Sequence, residues 1–118
     1  MNFNFTEVHK SKTGADGVPE GVLRFGSKSI AIAHDEAAKF GYPSSRLDEL
    51  ATVKLTFAYD TYSQALKVTR DDVNGFSFKM GTNGTIFGRT PIMLMRSGMP
   101  FGDYKAVEDQ RHVFQLAR

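Results

Sequence analysis

No cysteine occurs among the 118 residues. That one absence removes disulfide scaffolds, thiolate metal sites, dithiol redox motifs and cysteine nucleophiles together. Tryptophan is missing as well. No stretch approaches the ~18 uninterrupted apolar residues of a membrane helix. The opening residues, Met1 to Glu7, show no basic segment leading into an apolar one, so the chain is expected to be soluble and cytoplasmic, with no membrane partner. Charge of one sign is also lacking: 15 Lys and Arg face 13 Asp and Glu, a net +2. This is neither a histone-like chain nor an acidic DNA mimic, and the net charge selects no partner by itself. What is present is apolar mass, 41% of residues with ten Phe, which suits one packed domain over residues 1–118 and argues against disorder.

Apolar residues recur with a period of two along most of the chain. Gly21 to Gly26 and Ser29 to Ala33 are short apolar segments bounded by turn residues and predict a hairpin. Residues 10–21, rich in Gly, Asp, Ser and charge, predict a flexible loop. Asp35 and Glu36 suit the first turn of a helix and Gly41 with Pro43 suits its end, so a short helix is expected over residues 34–41. Val53, Leu55, Phe57 and Tyr59 alternate with Lys54, Thr56 and Ala58, the cleanest strand pattern in the chain, followed by a partner strand through Leu66 and Val68. Phe76, Phe78 and Met80 form another, and Asn83-Gly84 predicts a type I′ hairpin turn. Thr90 as N-cap, Pro91 at the first position and Gly98 as stop predict a second helix over residues 91–97. The tail from Tyr104 has two readings, helix or hairpin.

An internal repeat favours the hairpin. Gly21 to Gly26 resembles Gly75 to Gly81, Gly41-Tyr42-Pro43 matches Gly98-Met99-Pro100, and Ala65 to Arg70 resembles Val113 to Arg118. The shared order is strand, strand, helix, strand, strand, in halves of about 21–70 and 75–118. Each half is too small to fold alone. The expected fold is therefore mainly β (α+β), a compact barrel or sandwich of two pseudo-twofold units with two short helices.

The strand, short helix and hairpin of Ser29 to Arg70 resemble the AbrB-like swapped-hairpin domain. In that family two such units, normally from two chains, interleave into one barrel that grips DNA. The resemblance spans about residues 21 to 118 and is one of element order. A Pro after the first strand and a Gly-Asp before the third, frequent in the family, are absent at Ala33-His34 and Leu50-Ala51-Thr52; Thr90-Pro91 alone keeps the first. The resemblance therefore implies nucleic-acid binding but transfers no DNA-contacting residue.

Catalytic and metal constellations are not evident. His9, His34 and His112 are widely separated, His34-Asp35-Glu36 reads as a polar helix start, and Asp48-Glu49 and Asp71-Asp72 are adjacent carboxylates that a strand would point apart. The expectation is no enzyme, no metal and no cofactor. Charge, however, is uneven: residues 1–30 carry four basic and three acidic groups, 31–75 five and seven, and 76–118 six and three. Lys79, Arg89, Arg96, Lys105, Arg111 and Arg118 could line a phosphate-tracking face, with Tyr104 or Phe101 for stacking. Met93, Leu94, Met95 and Met99 are expected in the core. Nucleic-acid binding, as in a transcriptional regulator, is the preferred expectation, with the protein a monomer or homodimer. The rival is a protein-binding module, an accessory or inhibitor protein of a phage or mobile element that presents a sheet edge or the 10–21 loop to a larger partner. Arg89, Arg96 and Arg111 discriminate: one shared surface favours nucleic acid, dispersal favours protein.

Overall fold

The computed structural model describes residues 18–41, 51–81 and 83–117. Eight strands form a closed antiparallel barrel: β1 (Val22–Phe25), β2 (Ser29–Ile32), β3 (Ala51–Asp60), β4 (Ala65–Arg70), β5 (Phe76–Met80), β6 (Ile86–Arg89), β7 (Gly102–Ala106) and β8 (Val113–Leu116). Helix α1 (His34–Ala38) follows β2, and helix α2 (Ile92–Met95) follows β6. Around the ring the order is β1-β2-β6-β5-β3-β4-β8-β7. Adding or subtracting four from every strand number returns the same ring read in the opposite direction. Leu66 and Phe114, equivalent in the repeat alignment, lie directly opposite each other in the β4–β8 pair.

The alternation in sequence becomes the two faces of the barrel wall. Leu23, Phe25, Ile30, Ile32, Val53 and Leu55 point inward and are essentially inaccessible, joined by Leu66, Val68, Phe78, Met80, Ile86 and Phe114 in one core. Gly88 belongs to this interior because a side chain there would run into the Phe78 ring. A smaller cluster of Val18, Val22, Ala31 and Ala33, backed by Phe87, covers one outer wall. Elsewhere the outer wall is polar, and Arg24 spans the β1–β7 seam to Asp103 at 2.8 Å. Both side chains are well exposed, so the pair contributes less than about 1 kcal/mol, although the guanidinium hydrogen bond holds the Asp103 carboxyl below the usual carboxylate range.

Antiparallel order also places the helices. β2 and β6 are adjacent and run oppositely, so the helices that follow them close opposite ends of the barrel. Ala37 and Phe40 plug one end, Leu94 and Met99 the other. Gly41 and Gly98 end the two helical segments with φ of 82° and 85°, the left-handed conformation expected of helix stops. The tail is the β7–β8 hairpin, which resolves its two readings.

Several details depart from expectation. Both helices are shorter than 34–41 and 91–97. Thr90 does not cap α2; its hydroxyl donates to the Gly26 carbonyl at 2.7 Å, and Pro91 occupies the cap position with no side-chain bond. Asp35 accepts the Gly21 amide at 3.0 Å, and Glu36 is buried with Lys39 Nζ at 2.7 Å. Asn83-Gly84 is not a two-residue I′ turn, because Met80 pairs with Ile86 and the Gly81 amide donates to Thr85 O. That register leaves more than two residues between the strands, with Gly84 at φ 88° and Asn83 Oδ1 accepting the Thr85 amide.

Candidate docking surface at the second helix

The basic residues singled out in the sequence do not converge. Lys79 on β5 and Lys105 on β7 are four strands apart in a ring of eight, on opposite walls. Lys79 is turned to Thr52, its Nζ donating to Oγ1 at 3.0 Å. Arg111 lies in the β7–β8 turn, beside Glu36, Lys39, Glu108 and Asp109 at the α1 end. Arg89 ends β6 and Arg96 closes α2, so both lie at the barrel end that α2 covers. Arg118 lies outside the described residues. Tyr104 cannot stack on a ligand: it is fully buried, its hydroxyl donates to Pro100 O at 2.6 Å, and burial raises its pKa. Phe101 is half exposed, with its ring edge-on to Phe25 at 5.1 Å.

What the structure does bring together is apolar. α2 is only four residues long, so Leu94 faces the core while Ile92, Met93 and Met95 are left outside, Met93 at 79% exposure. This corrects the core expectation for Met93 and Met95, whereas Leu94 and Met99 do serve the core. Tyr59 and Phe76 extend the exposed apolar surface from the neighbouring strands, 50% and 48% exposed. β3 explains why they are bare: its pairing to β5 stops at Leu55–Phe76, and from Thr56 to Asp60 its pairing continues with β4 alone. The barrel opens there, and α2 lies across the opening. A sheet-edge partner site is accordingly confined to such outer half-strands, since every strand in the closed ring has two neighbours. Residues 10–17 of the expected loop lie outside the described residues.

Three adjoining depressions lie around α2, and a fourth, on the far side of Tyr59, is bordered by Asp60 and Lys67. The most apolar of the three is a notch of about 160 Å³ between Phe57, Tyr59, Phe76, Pro91, Met93 and Leu94. Beside it run a shelf along Phe76, Ser77, Arg89, Pro91 and Ile92 and a hollow between Ser27, Lys28, Arg89 and Met95. Among the described residues none that lines these three is acidic, and Lys28, Arg89 and Arg96 make no ion pair. Lys28 escaped the sequence reading because it sits in the β1–β2 turn and reaches this end only through pairing of its carbonyl with the Thr90 amide, 3.1 Å.

The opposite end differs in character. There His112 stacks on Phe40 with centroids 4.1 Å apart, and the hollow around α1 mixes both charges. Among the described residues no group of three or more His, Asp or Glu is placed to hold a metal, and no helix is long and apolar enough to cross a membrane. Compared with family models, curated proteins and solved structures, the chain gives no match.

Proposed function

We propose that the protein is a non-catalytic protein-binding module, a tandem duplication of an AbrB-like unit within one chain, that docks a partner on its α2 end. The observation carrying this is the contiguous exposed apolar surface of Ile92, Met93, Met95, Phe76 and Tyr59. Exposed apolar patches of this kind, rimmed by polar groups, mark interaction sites, and methionines adapt to a partner's shape. Dispersal of Arg111 from Arg89 and Arg96 points the same way. The duplication is supported by the ring order, which is unchanged when the halves are exchanged, and by the matching glycine stops at 41 and 98.

Nucleic-acid binding is the second reading. It draws on Lys28, Arg89 and Arg96, which make no ion pair among the described residues, beside two exposed aromatic rings, a combination that binds single strands. One experiment separates the two. The full chain and its Met93→Asp variant are used to capture partners from lysate with and without nuclease, alongside anisotropy with DNA and RNA at ~50 mM salt. Proteins retained after nuclease by the parent and lost by the variant support docking. Nuclease-sensitive capture, with direct nucleic-acid binding, overturns it.

A further inference from the structure

We infer that the α2 end recognises an acidic peptide segment carrying one aromatic or leucine anchor. The inference rests on the protein-binding reading and specifies its partner.

The anchor follows from the notch. Its volume is about 160 Å³, close to the ~150 Å³ apolar cavity that accepts benzene in a well-studied host. It therefore has room for a single ring or branched aliphatic side chain. Its walls are the rings of Phe57, Tyr59 and Phe76, with Pro91, Met93 and Leu94. Phe57 is itself held edge-on against core Phe78 at 5.6 Å, so this wall is braced from within. Binding energy concentrates in such central apolar pockets.

The acidic flank follows from the rim. Lys28 and Arg89 line the adjoining hollow and Arg96 closes the helix, with no carboxylate among the described lining residues. A second copy of this chain is a poor occupant, because a twofold contact through the patch would set these cations against their own copies. A basic or phosphate-free neutral segment would leave them uncompensated. An acidic segment satisfies both the notch and its border.

The test is peptide display on the immobilised full chain, with Met93→Asp and the double variant Lys28→Glu, Arg89→Glu screened in parallel. All three positions are exposed, and circular dichroism confirms that each variant is folded. The parent is expected to enrich peptides with an aromatic residue or Leu flanked by Asp and Glu. A synthetic peptide of that composition should bind the Met93→Asp variant at least about tenfold more weakly, a difference of about 1.4 kcal/mol. The double variant should reverse the flanking preference from acidic to basic. Enrichment lost in Met93→Asp but lacking acidic flanks overturns the acidic assignment and leaves the docking reading intact. Concentration-dependent dimerisation abolished by Met93→Asp identifies a second copy as the occupant and overturns the inference. Enrichment identical on parent and Met93→Asp overturns the inference and the docking face together.

Discussion

At the scale of single residues, His112 is the most constrained polar group described. It is not glycine, yet it holds φ at 68°, a region that Asn, Asp and His enter more readily than other side chains. Its carbonyl accepts the Val68 amide at 2.9 Å, its ring lies flat on Phe40, and its Nδ1 is buried with no hydrogen-bond partner among the described residues. Burial first, and then the Arg111 charge, lower its pKa below the ordinary 6.5; Glu36 opposes this and Lys39 reinforces it. The sign follows from proton counting. In the window between the lowered folded pKa and 6.5 the unfolded chain binds more protons, so stability rises with pH through that window. His112 therefore contributes fully above 6.5, and its contribution falls as pH drops toward the folded value. Thermal melts between pH 5 and pH 7.5 are expected to show a loss on acidification that is smaller in His112→Asn, which tolerates the same backbone without titrating. Equal slopes for parent and variant would remove the argument.

At the scale of elements, α2 separates what local sequence reveals from what it conceals. The strands were legible because burial of one face leaves a period of two, as in Val53 to Tyr59, and the helix stops because a left-handed residue demands Gly41 and Gly98. The inward and outward sides of α2 were not legible. A helix of four residues has too few positions for a 3.6-residue period to emerge, and Ile92-Met93-Leu94-Met95 is apolar throughout. Thr90 looks like a cap in isolation, but its hydroxyl is claimed by Gly26, 64 positions away, which no local signal encodes. The consequence is a sharp contrast within adjacent residues. Leu94→Ala removes a side chain that plugs the barrel end and should cost about 2 to 5 kcal/mol. Met93→Asp changes a side chain mostly in water and should shift stability by no more than about 0.5 kcal/mol. Denaturant titrations of the two variants check this, and a destabilisation by Met93→Asp as large as that by Leu94→Ala would place Met93 in the core.

At the scale of the whole molecule, the ring order determines how the protein comes apart. Going round the barrel, β1–β2, β6–β5, β3–β4 and β8–β7 are seams within one half, while β2–β6, β5–β3, β4–β8 and β7–β1 join the halves. The two kinds alternate strictly, so neither half retains more than isolated hairpins when the other is removed. Two-stranded hairpins are marginal at best in water. The helices do not alter this, because each plugs a barrel end whose wall both halves supply: Phe40 of the first half lies on His112 of the second, and Leu94 of the second borders Phe57 of the first. Interleaving therefore makes β1–β4 and β5–β8 parts of one barrel and not a pair of domains. Phe114 tests it. The residue is fully buried, opposite Leu66 across a seam between halves, so Phe114→Ala should cost about 3 to 5 kcal/mol. Its effect should also be global: amide exchange in β2 and β6, across the ring from the β4–β8 seam, should accelerate as much as in β7 and β8, and unfolding should remain one transition by every probe. Faster exchange confined to the second half, or two separable transitions, would mean that the halves carry stability of their own despite the alternating seams.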